Sequence, residues 1–451
     1  RYNEETDLHV LKIPMSHFQL GAYEDARNAE RKEESRNAKK KKKAGESGIY
    51  GETTSTYRIF SRAFCNFVFP NELVEDDEGV EVLLTRPMPK ENKKIKDQIS
   101  TDPTKDKSKT KSKKDLTDDP TKDPSKDEMN IKGIDEDLLD GVNVKDRLDN
   151  IDGRYDIDES QEIEKNIKEN TNNNYQDRIN KAMGLLKKYS NKFFNKEGLV
   201  KYGPKFLKLL ENIIDPEHVG LHLIYSQFRT VEGIGIFSMV LEANGFARFK
   251  IKKNSAGLWD INMTEEDIGK PTFALYTGTE DADEKEIIRN IFNGTWDSIP
   301  SSLASKLRKM ASNNNMGEII KVLMITSSGS EGITLRNTRY VHIVEPYWHP
   351  VRTEQVVGRA RRICSHQALD EKYKTVEVFM YLMTFTQKQL DGDPNGETQE
   401  DKKPSVSVEL KTKDKSKLDE EEAIQIYGSS TITTDEALYE ISNIKKNITS
   451  G

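Results

Sequence analysis

Five short apolar runs, separated by stretches of helical periodicity, constrain the fold of this chain more than any other feature. The runs are 221–226, 273–276, 319–325, 341–345 and 375–383. The helical stretches lie near 231–243, 282–292, 302–311 and 351–362. A strand with no polar face is covered on both sides, and strands alternating with helices are joined by crossovers and run parallel. The fold class predicted for about 200–390 is therefore α/β, a doubly wound parallel sheet with helices on both faces. Such sheets bind ligands outside the carboxyl ends of their strands, and chemistry-bearing residues are sought there.

The helical pattern begins before the first of these runs. Tyr175, Ile179, Ala182, Leu186, Tyr189 and Phe193 step by three and four, which predicts an amphipathic helix. A second starts with Pro204 in its first turn and continues through Phe206, Leu209, Leu210 and Ile213. Residues 91–130 are the opposite case: Ile95, Ile99, Leu116 and Met129 are their only apolar side chains, and an Asp-Pro-Thr-Lys-Asp near-repeat recurs at 102 and 119. So few apolar groups cannot offset the entropy of ordering a backbone. A disordered, charged insertion is expected over 91–174, and a charged, partly disordered extension over 391–451. Consistent with this, apolar residues are only 34% of the 451 and charged residues 33%, so a normal core occupies part of the chain.

The charge balance, 70 Lys and Arg against 77 Asp and Glu, excludes a uniformly basic nucleic-acid coat but not a local basic groove. Two cysteines, Cys65 and Cys364, exclude a disulfide framework or a zinc ribbon. No apolar run approaches ~18 residues, so no membrane span is expected, and no signal peptide is visible. The chain reads as intracellular and soluble. It opens on Arg1 and is expected to begin inside a longer polypeptide. The Lys39–Lys43 run reads as the solvated end of a charged helix or loop in preference to a nuclear signal or nucleic-acid tether.

Two strand ends carry the chemistry. After the run 319–325 comes Thr326-Ser327-Ser328-Gly329-Ser330-Glu331-Gly332-Ile333-Thr334-Leu335. Small hydroxyls and glycines at that place let backbone N–H groups approach an anion. The next strand ends at Glu345-Pro346-Tyr347-Trp348-His349-Pro350, followed by Gln355-Val356-Val357-Gly358-Arg359-Ala360-Arg361-Arg362-Ile363. On a helix Gln355, Arg359 and Arg362 share a face, and Gly358 beside them allows close approach. Guanidiniums so placed grip phosphate and stabilise charge developing in phosphoryl transfer. Residues 321–390 hold ten Lys and Arg against six Asp and Glu, a basic stretch in an acidic chain.

Taken together, these residues resemble the second RecA-like lobe of superfamily 2 helicases, closest to the SNF2-like branch. Ser330 to Leu335 is similar to motif V, and Gln355 to Ile363 to motif VI. Trp348-His349-Pro350 resembles the Trp-Asn-Pro of that branch, with His for Asn. Tyr225-Ser226-Gln227-Phe228 is similar to motif IV. The flanks, Pro14 to Gln19 with Tyr23, Ser61 to Pro70, and Thr433 to Tyr439, resemble DEAD/SNF2-like helicases of nucleocytoplasmic large DNA viruses, of early transcription factor and nucleoside triphosphatase I type. The resemblance implies a helicase C-terminal lobe over 175–390, preceded at 1–90 by an inter-lobe helical and extended segment that follows a missing first lobe, with Leu8 to Ile13 as the link. No phosphate loop and no apolar strand ending in Asp-Glu occurs here. ATP with Mg2+ is thus expected to be held mainly by that first lobe.

What the resemblance implies is a C-terminal motor half of an ATP-dependent helicase or translocase. Arg359 and Arg362 would reach the γ-phosphate, and Gly332, Gln355 and Gly358 would line the nucleotide cleft. Ser226, Gln227, Thr277, Gly278, Thr279, Thr326 and Ser327 would contact a DNA or RNA strand. The implied setting is viral transcription beside an RNA polymerase, in the host cytoplasm or virion. The competing reading is a non-catalytic nucleic-acid-binding or scaffolding module on the same lobe. His342, His349 and His366 have no regular metal-ligand spacing, and no metal site is expected. Cys364 and His366, two apart on a helix, would face different ways and form no nucleophile pair.

Overall fold

A computed structural model describes residues 3–44, 58–87, 175–229, 231–277, 280–326, 333–392 and 405–450. The insertion expected over 91–174 lies outside the described residues. The strands are β1 (Leu8–Pro14), β2 (Glu72–Glu75), β3 (Glu81–Leu84), β4 (Leu221–Tyr225), β5 (Ala247–Arg248), β6 (Ile251–Lys253), β7 (Trp259–Ile261), β8 (Thr272–Tyr276), β9 (Val322–Ile325), β10 (Thr338–Ile343) and β11 (Glu377–Thr384). The main helices are α1 (His17–Ala44), α2 (Ile59–Asn66), α3 (175–188), α4 (Pro204–Ile214), α5 (Ile234–Ala243), α6 (Ala282–Phe292), α7 (Ser301–Met310), α8 (Pro350–Ala360) and α9 (Thr434–Ser450).

Seven strands form one sheet in the order β1-β11-β10-β4-β9-β8-β5, and every pairing in it is parallel. The two-residue side-chain period of a strand divides them between two cores. Leu223 and Tyr225 of β4, Val341 and Ile343 of β10, and Val378, Met380 and Leu382 of β11 join one core with α6, α7 and α8. Ile224, Tyr340, Phe379, Tyr381 and Met383 point the other way, into a core with α3, α4 and α5. This is the doubly wound parallel sheet the apolar runs predict.

Three local differences have physical causes. The run 319–325 becomes a strand only at Val322, because Asn314 Oδ1 accepts the N–H groups of Ile319 and Ile320 at 2.8 and 2.9 Å and holds them off the ladder. Leu8 to Ile13, read as an inter-lobe link, is the edge strand β1, in register with β11 from Leu8 opposite Val378 to Pro14 opposite Thr384. Its apolar residues divide between both cores, so no single alternation is visible in the sequence. Residues 405–450, expected as a charged and partly disordered extension, bury Val406, Leu410, Ala423, Ile432 and Leu438 and carry α9. The backbone of α1 stays helical through Lys39–Lys43. No helix among the described residues is long and apolar enough to cross a membrane.

Candidate functional site

The strand order reverses at β4: β9 lies on one side and β10 on the other. β9 and β10, which follow one another in the chain, therefore flank β4. A crevice at such a reversal is where open α/β sheets place ligands. Ser226 and Gln227 leave β4 there, Thr326 leaves β9 and Glu345 leaves β10.

Direct strand contact through the hydroxyls at these ends is corrected by their burial. Ser226, Thr277 and Thr326 are 1%, 2% and 3% exposed. Ser226 Oγ donates to Glu345 Oε1 at 2.8 Å and accepts from Phe228 N. Thr277 Oγ1 donates to Glu280 at 3.0 Å. Short hydroxyl side chains at strand ends are close enough to bond their own loops, as Ser226 and Thr277 do. Half-buried Gln227 is likewise engaged: its amide oxygen accepts from Arg62, its Nε2 donates to Pro346 O at 3.3 Å and its backbone N–H donates to Glu345 Oε2 at 2.8 Å. Gly278, Thr279, Ser327 and Gly332 lie outside the described residues.

Glu345 is fully buried. Burial pushes its carboxyl up; Lys205, the Gln227 N–H, the Ser226 hydroxyl and the Asn66 amide oppose that. A half-buried cluster beside it was not foreseen as a unit. The Arg352 guanidinium lies 4.0 Å above the Tyr347 ring, the Lys445 ammonium lies 3.6 Å above the Trp348 ring, and the two rings are 5.6 Å apart. The sequence leaves Trp348 between stacking on a base and packing under α8, with packing preferred. Lys445 arrives on α9 from more than ninety residues away, which local reading cannot show.

His349 stands where the related motif has Asn, and does an Asn's work: its Nδ1 accepts from Val351 N at 3.3 Å as the N-cap of α8, with Pro350 following at the first helical position. Val356, Val357 and Ala360 bury one face of α8. Gln355 is exposed and Arg359 half-buried, and Arg359 Nε is buried with no hydrogen-bond partner. A Cβ on Gly358 would meet nothing within 4 Å, so no internal packing requires the glycine.

Arg362 is not on this helix, contrary to the shared-face expectation. α8 ends at Ala360 because Cys364 adopts φ 64° and Ser365 turns back to the strand: Ser365 Oγ donates to Ala360 O at 3.1 Å, and Asn337 N donates to Ser365 O at 2.9 Å. Arg362 instead donates to Thr334 Oγ1, beside the amino end of β10. An 11-residue helix spans ~16 Å, so Arg362 and the strand-end cluster lie at opposite ends of α8. Arg361, Arg362, Ser365, His366 and Lys374 line a cavity of about 350 Å³ there. His366 and Cys364 sit in this turn, not on a helix. The His366 ring contacts Ser365 Oγ and Thr338 O, each at 2.7 Å. His342, His349 and His366 thus serve three separate places.

Residues 258–364, which include β8 to β10 and α8, match the helicase conserved C-terminal domain. An ATP-dependent RNA helicase of Acanthamoeba polyphaga mimivirus is 34% identical over 182 residues, 40% of this chain and 26% of that one. A second mimivirus ATP-dependent RNA helicase is 27% identical over 382 residues, 83% of this chain and 38% of that one. A termination factor NPH-I homolog of African swine fever virus is 32% identical over 202 residues, 43% of this chain and 28% of that one. The chain spans between 26% and 38% of the length of these relatives.

Proposed function

We propose that this chain, a superfamily 2 helicase C-terminal lobe of the kind found in large DNA viruses, is the second motor half of an ATP-dependent nucleic-acid translocase acting in viral transcription. The observation that supports it best is Arg359 on α8, with its Nε buried and unpartnered beside exposed Gln355 and the open space over Gly358. A buried guanidinium nitrogen without an acceptor is costly. An anion brought against α8 by another lobe would satisfy it.

In this reading a first lobe holds ATP and Mg2+, and Arg359 and Arg362 complete the pocket from this side. Gln355, Gly358 and Gly332 line the cleft. Because Arg362 is tied to Thr334, the guanidinium and the turn before β10 move together. At the other end of α8, by the carboxyl ends of the strands, Tyr347, Trp348, Arg352 and Lys445 offer two rings and two cations to a DNA or RNA strand. Base stacking on aromatic rings beside cations grips a single strand without reading its sequence. An RNA polymerase is the partner that a role in transcription calls for.

The test joins this chain to a first lobe that carries a phosphate loop. Arg362→Ala should lower nucleic-acid-stimulated ATP hydrolysis by ~10³-fold with strand binding retained. Full activity in that variant would leave the non-catalytic binding or scaffolding module as the better account.

A further inference from the structure

Two sequence motifs that flank the lobe, around Ser61–Asn66 and Thr433–Glu436, meet in one buried polar chain under the carboxyl ends of β4 and β10. Its centre is Lys205 of α4, which has no exposed surface. The three N–H groups of its ammonium go to Asn66 Oδ1 at 3.0 Å, Val344 O at 3.1 Å and Asp435 Oδ2 at 2.5 Å. The Asn66 amide then donates to Glu345 Oε1 at 2.5 Å and to Glu232 O at 2.9 Å. Glu345 in turn accepts from Ser226 and Gln227. Asp435 also accepts from Met383 N at 3.0 Å, at the end of β11.

Asp435 is in the first turn of α9, and Lys445 lies ten positions further along the same helix, ~15 Å away. The helix is therefore fastened to the 344–349 turn twice. At one end Asp435 reaches Val344 through Lys205, and at the other Lys445 lies over Trp348. A buried ion pair contributes little net stability compared with apolar side chains of the same size, and the use best attested for it is to fix register. Here the register it fixes is that of α9 on the strand-end turn.

We propose that Asp435 and Lys205 are positioning residues for the nucleic-acid face: by seating α9 they set where Lys445 stands over Trp348, and so how tightly a single strand is held. This rests on the reading that the Tyr347, Trp348, Arg352 and Lys445 cluster contacts nucleic acid.

The experiment is fluorescence anisotropy of a labelled single strand of about twenty nucleotides, as DNA and as RNA, on the full 451-residue chain. Lys445→Ala should weaken binding about tenfold. Asp435→Asn, which keeps the side chain's shape, should also weaken it about tenfold in the wild-type background, but less than twofold once Lys445 is Ala. The pair Lys205→Met with Asp435→Leu should keep the melting temperature near wild type while binding stays weak. That pair serves as the measure if Asp435→Asn fails to fold. Equal losses from Asp435→Asn in both backgrounds, or tight binding by the apolar pair, would overturn the positioning role and leave the nucleic-acid face standing. A wild-type chain that binds neither strand, or a Lys445→Ala variant that binds normally, would overturn the face and the proposal with it.

Discussion

The imidazoles of His222 and His342 stack within 12° of parallel, and Nδ1 of the first lies 3.0 Å from Nε2 of the second. Their neighbours fix every proton. His222 Nε2 faces the His218 carbonyl at 3.3 Å and must donate to it, so its Nδ1 accepts from His342 Nε2–H. His342 Nδ1 then accepts from the Tyr381 hydroxyl at 2.8 Å, whose oxygen accepts from Asn212 Nδ2 at 2.8 Å. Both rings are neutral, and an added proton would set two donors against each other. Burial pushes both imidazoles down, His342 to about 3, with His218 adding to it at His342, and His342 and Lys321 adding to it at His222. A depressed folded-state value means stability that is whole above ~6.5 and lost as pH falls toward 3. Each histidine should contribute a slope of up to about 1.4 kcal/mol per pH unit in that window. Denaturant midpoints from pH 7 to 4 should fall steeply in the wild type. His342→Leu should be less stable at pH 7 but fall less steeply; an unchanged slope would remove these histidines as the cause.

Arg86 and Tyr175, the described residues that flank 88–174, meet in the fold. Arg86 Nη1 donates to the Tyr175 hydroxyl at 2.8 Å, and its other nitrogens pair with buried Glu232. Both ends are thus fixed by the lobe itself. Closing a long connection costs entropy that grows with the logarithm of its length. Replacing 88–174 by about six Gly and Ser residues should preserve the fold and raise stability by about 2 kcal/mol. Chemical denaturation of the shortened chain checks this. A large loss of stability would mean that the stretch packs on the lobe.

Gly233 follows the Ser226–Phe228 loop, and its place there is steric. A Cβ would come within 1.9 Å of Phe228 O, the same oxygen that accepts from Ile234 N at 2.9 Å. Since Phe228 N in turn bonds Ser226 Oγ at 3.1 Å, the loop cannot give way without moving the strand end. Gly233→Ala should cost about 3 kcal/mol, as overpacking does, and should weaken strand binding as well. A variant as stable as wild type would show that the loop can relax.

The sheet was legible because its strands are apolar on both faces, which leaves one architecture open to them. Strand β1 was not, because its pairing with β11 spans most of the chain and nothing local announces it. At the site, the sequence located the loops but misjudged their side chains. Ser226 and Thr277 look like phosphate donors in a string of residues, yet both are buried and bond their own loops. Arg362 looks like a partner of Arg359 because spacing assumes a helix that Cys364 and Ser365 end early. Two of the flanking motifs have no visible purpose in the sequence, because it is Lys205, distant from both, that bonds Asn66 and Asp435.

Glu436 closes the amino end of α9, and its charge state opposes that role at high pH. Thr433 Oγ1 accepts from Glu436 N at 3.2 Å, and Thr433 N donates to Glu436 Oε2 at 2.9 Å, the reciprocal pair of a capping box. Burial pushes the Glu436 carboxyl up to about 8, against the pull of the Thr433 donors and Lys12. A raised folded-state value means stability that is whole below ~4.5 and lost as pH rises through 8. Glutamine makes the same box without a charge. Glu436→Gln should therefore match wild type near pH 5 and exceed it by about 2 kcal/mol at pH 9. Thermal melts at the two values decide it: a variant that loses stability equally at both would show that the carboxylate is ionised and held by its neighbours. Because α9 carries both Asp435 and Lys445, the same variant should also hold a single strand better than wild type at pH 9.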